Sequence, residues 1–253
     1  MNNFHNKKFL LLLVFIILFS FSFQGVYSNY NKLLNIDEMK KLKYIETVYD
    51  VTGKGKSSIE TIKYFFDNTL YIEETCIGEY GNGYYTISTD QYFRPLVMET
   101  KWVSEYEKAD CLERFIYNYE NETIVYINLK NSQTKTFQLS EVTGDSVTLG
   151  ELIIFINTDN LKNFSTGGLI VPNAYKAPFI FRYVKTDNYK INGELINEEV
   201  YKAELNNPFL QFLAVMFGNK AEIHLKADFP HIRTRSFYSI RNIFLKEYKI
   251  IKK

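Results

Sequence analysis

Apolar and polar positions alternate with a period of two along much of the chain. Ile62, Tyr64 and Phe66 share one face of the segment 58–66. Turn-forming residues separate such segments, and one of them, Asn192-Gly193, is typical of a type I′ hairpin. Alternating segments at intervals of about 8–12 residues are typical of all-β domains, and tight turns make neighbouring strands antiparallel. We therefore predict a mainly β fold with about a dozen strands.

Two segments break this alternation and predict short helices. Thr148 and Glu151 have the spacing of a capping box, just before an apolar run that ends at Ile156. A second segment, 207–218, begins with helix-capping chemistry at Asn207 and is apolar nearly all round. We expect both helices to pack on the concave side of a strongly curved antiparallel sheet, a half-barrel or open barrel.

The apolar helix predicted over 207–218 suggests two roles. A helix of this kind is not stable with one face in water. It either plugs the open mouth of the curved sheet or covers a ligand pocket as a lid, with Phe212 and Met216 facing the ligand. The flexible side chain of methionine suits apolar ligands of varied shape. Phe212 and Met216 are therefore candidate ligand-lining residues, and Trp102, the only tryptophan, is a third.

Residues 1–28 have the three parts of a secretory signal peptide. A polar stretch with Lys7 and Lys8 precedes the apolar run 9–23, and Val26-Tyr27-Ser28 resembles a cleavage site. The alternative is an uncleaved anchor helix, because the run approaches the roughly 18 residues that span a bilayer. No cysteine ends the run, so lipid anchoring is not expected. We predict cleavage after Ser28 and export to the periplasm or the cell exterior.

The exported part is expected to form one domain. Residues 29–43 form a polar leader with a possible short helix, which Asn35 or Asp37 would cap. Residues 44–253 contain no repeat of fixed period and no linker rich in Pro, Gly or Ser. They therefore predict a single β-rich domain.

Charge and composition narrow the class of function. The chain has 30 basic and 29 acidic side chains, a net charge of +1. This balance argues against a nucleic-acid partner and against a polybasic membrane-surface protein. Aromatic residues are unusually frequent, with 20 tyrosines and 21 phenylalanines. They favour a large apolar core or an apolar binding surface.

Motifs for cofactors, metals and catalysis are not found in the sequence. There is no P-loop, G-x-G-x-x-G or G-x-S-x-G, and the cysteines and histidines are too few and scattered for a zinc site. The carboxylate pairs Glu73-Glu74 and Glu198-Glu199 lie on predicted strands, where neighbours point to opposite faces. We expect neither an enzyme nor a cofactor.

The segment 228–235 holds the polar candidates. Asp228 and His231 either form an acid/base pair or belong to a turn that Pro230 ends. Alternation places His231, Arg233 and Arg235 on one strand face. This basic row would meet an anionic ligand or a lipid headgroup, or would simply face solvent.

Cys76 and Cys111 are the only cysteines, and both lie in the segment expected to be exported. Because thiols tend to oxidise outside the cytoplasm, we predict a disulfide that links two strands. Closing a loop of about 35 residues would stabilise the fold by about 3–4 kcal/mol in the chain-entropy model. The alternative is two buried free thiols that pack as small apolar side chains.

Four segments resemble secreted bacterial domains of unknown function that belong with the LolA/LppX-like half-barrel family. They are Tyr92–Glu99, Asn192–Leu205, Lys220–Asp228 and Leu245–Tyr248. The resemblance implies a curved antiparallel sheet with an apolar concave face and a role in holding lipid. The lipobox cysteine of the related lipoproteins is missing here.

Two functions follow as hypotheses. The first is an exported β half-barrel that binds or carries a hydrophobic, lipid-like ligand in the cell envelope or outside the cell. The second is a non-enzymatic structural or interaction protein of the envelope, with a filled core and no ligand. A cavity between sheet and helices would distinguish them.

Overall fold

The computed structural model describes residues 34–104, 109–139, 150–157, 163–166, 169–170, 175–176, 179–205, 221–238 and 241–253. One α-helix, α1, spans Ile36–Lys40, and a 3₁₀ helix spans Gly150–Phe155. The strands in chain order are β1 Leu42–Gly53, β2 Lys56–Phe66, β3 Leu70–Gly78, β4 Asn82–Thr89, β5 Pro95–Ser104, β6 Ala109–Asn118, β7 Thr123–Asn128, β8 Gln133–Gln138, β9 Asn163–Thr166, β10 Leu169–Ile170, β11 Tyr175–Lys176, β12 Phe179–Ile191, β13 Glu194–Leu205, β14 Ala221–Lys226, β15 Arg233–Phe237 and β16 Asn242–Lys252.

Fourteen of these strands form one antiparallel sheet in the order β8-β7-β6-β5-β4-β3-β2-β1-β16-β15-β14-β13-β12-β9. Strands β10 and β11 pair separately. Almost every neighbour in the sheet is also a neighbour in the chain, as expected of a meander. The edge strands β8 and β9 are consecutive in the chain but do not pair with each other, so the sheet is not closed. The predicted mainly β, antiparallel, unclosed architecture is confirmed, with more strands than expected.

Pairing of β1 with β16 joins the two halves of the meander. Its register runs from Leu42 opposite Lys252 to Thr52 opposite Asn242, with an irregularity after Val48. Both strands are long, because their sequences alternate without an internal glycine or proline. The first and last strands of the described domain therefore lie side by side in the middle of the sheet.

The type I′ hairpin predicted at Asn192-Gly193 is present between β12 and β13. Asn192 and Gly193 have φ values of 48° and 91°, the two positive angles that a type I′ turn requires. Lys54 and Gly55, with φ values of 43° and 81°, make the same kind of connection between β1 and β2. These turns match the right-handed twist of the strands that they connect.

Alternation in β1–β7 defines an inner, buried face of the sheet. In β2 the buried side chains are Ser58, Glu60, Ile62, Tyr64 and Phe66, every second residue of the strand. The opposite, outer face carries charges of alternating sign on neighbouring strands, such as Glu46 opposite Lys63 and Lys63 opposite Glu73. Opposite charges in register stabilise cross-strand pairs at a solvated surface. The outer face of these strands therefore faces water.

The 3₁₀ helix covers the inner face. Residues 152–156 are all buried, and Phe155 lies edge-on against Tyr64 at 5.4 Å and Phe66 at 5.5 Å between ring centroids. The backbone N–H of Asn35 donates to the carbonyl of Phe155, and that of His231 donates to the carbonyl of Ile154, both at 2.8 Å. The chain between the two edge strands thus reaches the centre of the core.

This segment corrects the predicted helix near 146–161. The apolar spacing suggested an ordinary amphipathic helix, and the structure has six residues of 3₁₀ helix instead. The reason is tertiary: carbonyl groups that a further α-helical turn would use already accept hydrogen bonds from other parts of the chain. Burial of consecutive residues also removes the solvated face that an amphipathic helix needs.

The other helix predictions have different outcomes. The leader does contain a short helix, α1, and the side chain of Asn35 caps it by accepting a hydrogen bond from the backbone N–H of Glu38 at 3.4 Å. The helix expected over 207–218, with Phe212 and Met216, lies outside the described residues, as does the signal peptide predicted over 1–28. Helical structure in the described part of the chain is therefore minimal, so two short helices on the concave side are not confirmed.

Phe155 is expected to be a major source of stability. Replacing it with alanine leaves a cavity between the 3₁₀ helix and β2, so Phe155→Ala should lower the free energy of unfolding by about 3–5 kcal/mol. Urea unfolding followed by circular dichroism measures this change. The control is Leu195→Ala, because that side chain is 70% exposed and should change stability by less than about 0.5 kcal/mol. Equal effects of the two variants would contradict the buried position of the segment.

Candidate functional site

A row of side chains crosses the inner face of six neighbouring strands. Their registers align one residue from each strand, and we call this set the inner row. It consists of Tyr49 on β1, Glu60 on β2, Cys76 on β3, Gly83 on β4, Trp102 on β5 and Cys111 on β6. The row combines a carboxylate, two thiols and two large aromatic rings. It brings together Trp102 and both cysteines, which sequence analysis had considered separately.

Arg233 reaches the inner row from β15. Its guanidinium forms an ion pair with the carboxylate of Glu60 and lies 4.3 Å from the ring centroid of Tyr49. Burial is the largest single effect and works against the positive charge, but Glu60 together with Tyr49, Tyr238 and Glu74 outweighs it, so the pKa of Arg233 lies above its ordinary value. For the Tyr49 hydroxyl, burial acts in the other direction and raises the pKa. At neutral pH the cluster therefore contains a charged pair beside a neutral phenol.

Three polar atoms of β15 are buried and have no hydrogen-bond partner among the described residues: Nε of Arg233, Nε of Arg235 and Oγ of Ser236. Of these, Arg233 reaches the inner row. Ser236 is opposite Ile223 and Ile243, both part of the core, so its side chain also lies on the inner face. A buried polar group without a partner costs about 1–3 kcal/mol. A bound molecule with polar groups would remove this cost.

Trp102 lies where its neighbour on β4 has no side chain. A Cβ atom added to Gly83 would lie 2.7 Å from Cε3 of the Trp102 ring, which is closer than atoms can pack. Glycine is therefore required here for space rather than for an unusual φ angle. The ring is only partly buried, so part of its surface is accessible within the inner row.

The predicted disulfide is wrong for this structure. Cys76 and Cys111 are free and buried, and β4 and β5 separate their strands. Three strand spacings put them about 14 Å apart, beyond the roughly 7 Å that a disulfide spans. Burial, with smaller effects from Glu60 and Glu74, raises the pKa of the Cys76 thiol to about 12. Burial also raises the pKa of Cys111.

Both thiols should therefore react slowly in the native protein. A thiolate is the reactive species, and a raised pKa together with burial keeps its population small. We expect a disulfide-exchange reagent to label neither cysteine in the folded protein and both after unfolding in guanidinium. Mass spectrometry under non-reducing conditions provides the check. An unfolded chain that takes up no label and weighs two hydrogens less would contradict free thiols.

A β-bulge separates the two arginines that the sequence placed on one face. His224 is opposite Arg235 and Leu225 is opposite Arg233, so Thr234 is an extra residue on β15. Adjacent residues of β14 point to opposite faces of the sheet, so the arginines opposite them also point to opposite faces. The predicted basic row is therefore wrong, because one bulge reverses the alternation.

Arg235 belongs to a second buried cluster. Its Nη2 donates to Oε2 of Glu198 at 2.5 Å, and its guanidinium lies 4.8 Å from the ring centroid of Tyr189. Nδ1 of His224 is 3.0 Å from the same Glu198 oxygen, and Nε2 is 2.6 Å from Oε1 of Glu222.

Asp228 and His231 do not form an acid/base pair. The carboxylate of Asp228 is 84% exposed and pairs with Lys226. His231 is buried, and its Nδ1 is 3.0 Å from the backbone carbonyl of Lys226. Pro230 between them follows a cis peptide bond. The turn interpretation of this stretch therefore agrees with the structure.

Glu198 should make the stability of the fold depend on pH in the acid range. Burial opposes its charge, but hydrogen bonds from His224 and Arg235 outweigh burial, so the pKa of Glu198 lies below its ordinary 4.5. A lowered pKa stabilises the fold above the unfolded-state pKa, and this contribution is lost as pH falls through the folded-state pKa. Glu198→Gln should therefore destabilise by about 3 kcal/mol at pH 7. The difference from wild type should shrink as the pH falls below 4.5.

Urea unfolding at several pH values tests this expectation. Asp228→Asn is the matched control, because an exposed ion pair contributes at most about 1 kcal/mol. A difference between wild type and Glu198→Gln that does not change with pH would contradict the assigned role of the carboxylate.

Sequence reasoning missed Tyr49, Glu60 and His224, and it considered Glu198 only as one of a pair of adjacent carboxylates. Glu60 had a usable signal: it continues the face of Ile62, Tyr64 and Phe66, where a charge must be buried and paired. Glu198 lies in the same way between Ile196 and Val200. Neither pattern predicts which residue pairs with the glutamate. Both partners lie on β15, which is distant in the chain from β2 and β13 and is brought near them only by the sheet.

Comparisons with known proteins show the fold. No protein-family model matches the chain, and no curated protein matches it. Among the solved structures that match is the crystal structure of a β-barrel-like protein of domain of unknown function DUF1849 from Brucella abortus. It shares 11% sequence identity with a TM-score of 0.54, and the match covers 83% of this chain and 99% of that chain. The chain thus has a β-barrel-like fold of a kind whose function is unknown.

The described residues also bear on contacts with membranes and metals. No helix there combines the length and the apolar character that crossing a bilayer demands. No group of three or more His, Cys, Asp or Glu side chains there has an arrangement that would hold a metal ion.

Proposed function

We propose that the protein is an exported, β-barrel-like binding module that holds a hydrophobic, lipid-like ligand with a polar group, in the periplasm or outside the cell. The ligand lies along the inner row. Its polar group meets Nε of Arg233 and Oγ of Ser236, and its apolar part packs on Trp102. The observation that carries this proposal is the pair of buried, unpartnered polar atoms on the inner face.

The dimensions of the inner row suit such a ligand. Glu60, the partner of Arg233, and Trp102 are three strands apart, about 14 Å. An acyl chain with its head group spans this distance. Core residues such as Ile243 and Leu245 line the same face with apolar side chains. The segments that resemble the LolA/LppX-like half-barrels support the same class of function.

The signal peptide predicted over 1–28 supports a location outside the cytoplasm. Phe212 and Met216, in the helix predicted over 207–218, are proposed to complete the apolar wall as a lid. In this proposal they add contacts to the acyl chain, while Arg233 and Ser236 orient its polar end.

Trp102 is a built-in reporter for this proposal, because it is the only tryptophan. Stearic acid and 9,10-dibromostearic acid are the probes, since bromine quenches indole fluorescence only on close contact. We expect dibromostearate to quench Trp102 saturably and stearate to compete. Arg233→Gln should weaken binding about tenfold, about 1.4 kcal/mol, through loss of the contact with the polar group.

Arg114→Gln is the matched control, because Arg114 pairs with Glu99 on the outer face. Thermal unfolding of each variant separates lost binding from lost folding. Native mass spectrometry of protein purified from its source should also show a bound lipid. Absence of quenching, with only the mass of the bare chain, would overturn the proposal.

A second candidate is a structural or interaction protein of the envelope with no ligand. The specific observation in its favour is the 3₁₀ helix, which fills the centre of the inner face with Leu152, Ile153 and Phe155. In that case Trp102 would be insensitive to both fatty acids.

A further inference from the structure

A cleft at one end of the sheet is distinct from the inner row. Its volume is about 770 Å³, and it lies where α1, the β2–β3 turn, the β4–β5 turn and Lys253 meet. The strand ends that surround it are those of residues 42, 66, 70, 89 and 95. The inner row crosses β1 at Tyr49 and β5 at Trp102, seven residues further along each strand. At about 3.3 Å per residue, the two sites are about 20 Å apart.

Tyr92 forms a fixed aromatic surface at this cleft. The carboxylate of Asp90 accepts hydrogen bonds from the backbone N–H groups of Tyr92 at 2.8 Å and Arg94 at 2.9 Å, and it pairs with the Arg94 guanidinium at 2.7 Å. That guanidinium lies 5.2 Å from the ring centroid of Tyr92. Phe93, buried beneath the turn, anchors it to the core. Tyr92 is still 50% exposed, so much of its ring surface is accessible.

Polar side chains surround the ring of Tyr92 in this cleft. Asp37, Lys40, Asp67, Asn68 and Gln91 line the cleft. Within the described part of the chain, their side chains make no hydrogen bond or ion pair. Lys253 also lines it and donates from Nζ to the backbone carbonyl of Asp67 at 3.3 Å. The cleft thus offers carboxylate acceptors, ammonium donors and amides that do both.

We propose that this cleft binds a neutral carbohydrate, a short oligosaccharide whose ring stacks on Tyr92 and whose hydroxyl groups bond to the surrounding carboxylates, amides and lysines. Two acidic and two basic side chains balance, so the cleft selects neither an anion nor a cation. Sugar hydroxyls both donate and accept, as this mixed lining requires. The apolar C–H face of a sugar ring matches an aromatic surface. The volume falls in the range of about 300–1,000 Å³ that is typical of small-molecule sites.

A peptide fits this cleft less well. Extended peptides bind by adding a strand to an open sheet edge. The edges of the fourteen-stranded sheet are β8 and β9, whereas the cleft is lined by a helix, two turns and Lys253. The backbone hydrogen bonds that a peptide needs are therefore not offered here.

Saturation-transfer NMR and calorimetry with cellotriose, maltotriose and triacetylchitotriose test the proposal on the full exported chain. We expect at least one of the three to bind with a Kd of about 1 mM or tighter. Tyr92→Ala should weaken binding about tenfold or more, and Tyr92→Phe should retain it, because the ring is the contact. Asn68→Ala should weaken it as well, and it leaves the Asp90–Arg94 turn intact.

Tyr84→Ala is the matched control, since Tyr84 is similarly exposed but lies on the outer face of β4. Its binding should equal that of wild type. No binding of any trisaccharide at about 10 mM would overturn the proposal, as would binding that neither Tyr92→Ala nor Asn68→Ala weakens. Selection of peptides rather than sugars from a mixed library would overturn it too. None of these results affects the fatty-acid experiment, which reports on Trp102.

Discussion

An open sheet of fourteen strands has an apolar inner face that must be kept from water, and the rest of this structure depends on how that is done. The two edge strands, β8 and β9, are consecutive in the chain, and the 3₁₀ helix Gly150–Phe155 lies between them in sequence. This helix covers the inner face and packs Phe155 against the rings of Tyr64 and Phe66. Hydrogen bonds from Asn35 and His231 hold it in place. Three distant parts of the chain therefore become ordered around one segment.

The strand β15 shows how a small irregularity decides where charges lie. A single extra residue, Thr234, sends Arg233 and Arg235 to opposite faces. Each arginine then finds a buried glutamate, Glu60 or Glu198, and an aromatic ring. Removing one member of such a pair leaves an uncompensated buried charge, which costs more than the intact pair contributes. Because the bulge positions both arginines, both buried ion pairs and the stability that depends on them require it.

Sites on this fold carry more functional information than the fold itself. A β-barrel-like neighbour at 11% identity establishes architecture and nothing about a ligand. The inner row and the Tyr92 cleft lie at different positions along the strands and differ in chemistry. The first has a largely apolar wall with two unpartnered polar atoms, and the second is solvated and rich in donors and acceptors. Different ligands suit them for that reason.

Local patterns in the sequence were enough to predict a mainly β, antiparallel fold and the hairpin turn at Asn192-Gly193. Period-two alternation and turn pairs such as Asn192-Gly193 act over a few residues, and tertiary contacts reinforce them. The tertiary structure alone decided the rest. The 3₁₀ helix replaced an expected α-helix because distant N–H groups bind its carbonyls, and the two cysteines stayed apart because two strands lie between them. The Glu60–Arg233 pair joins residues 173 positions apart, and no local pattern encodes which buried charge meets which.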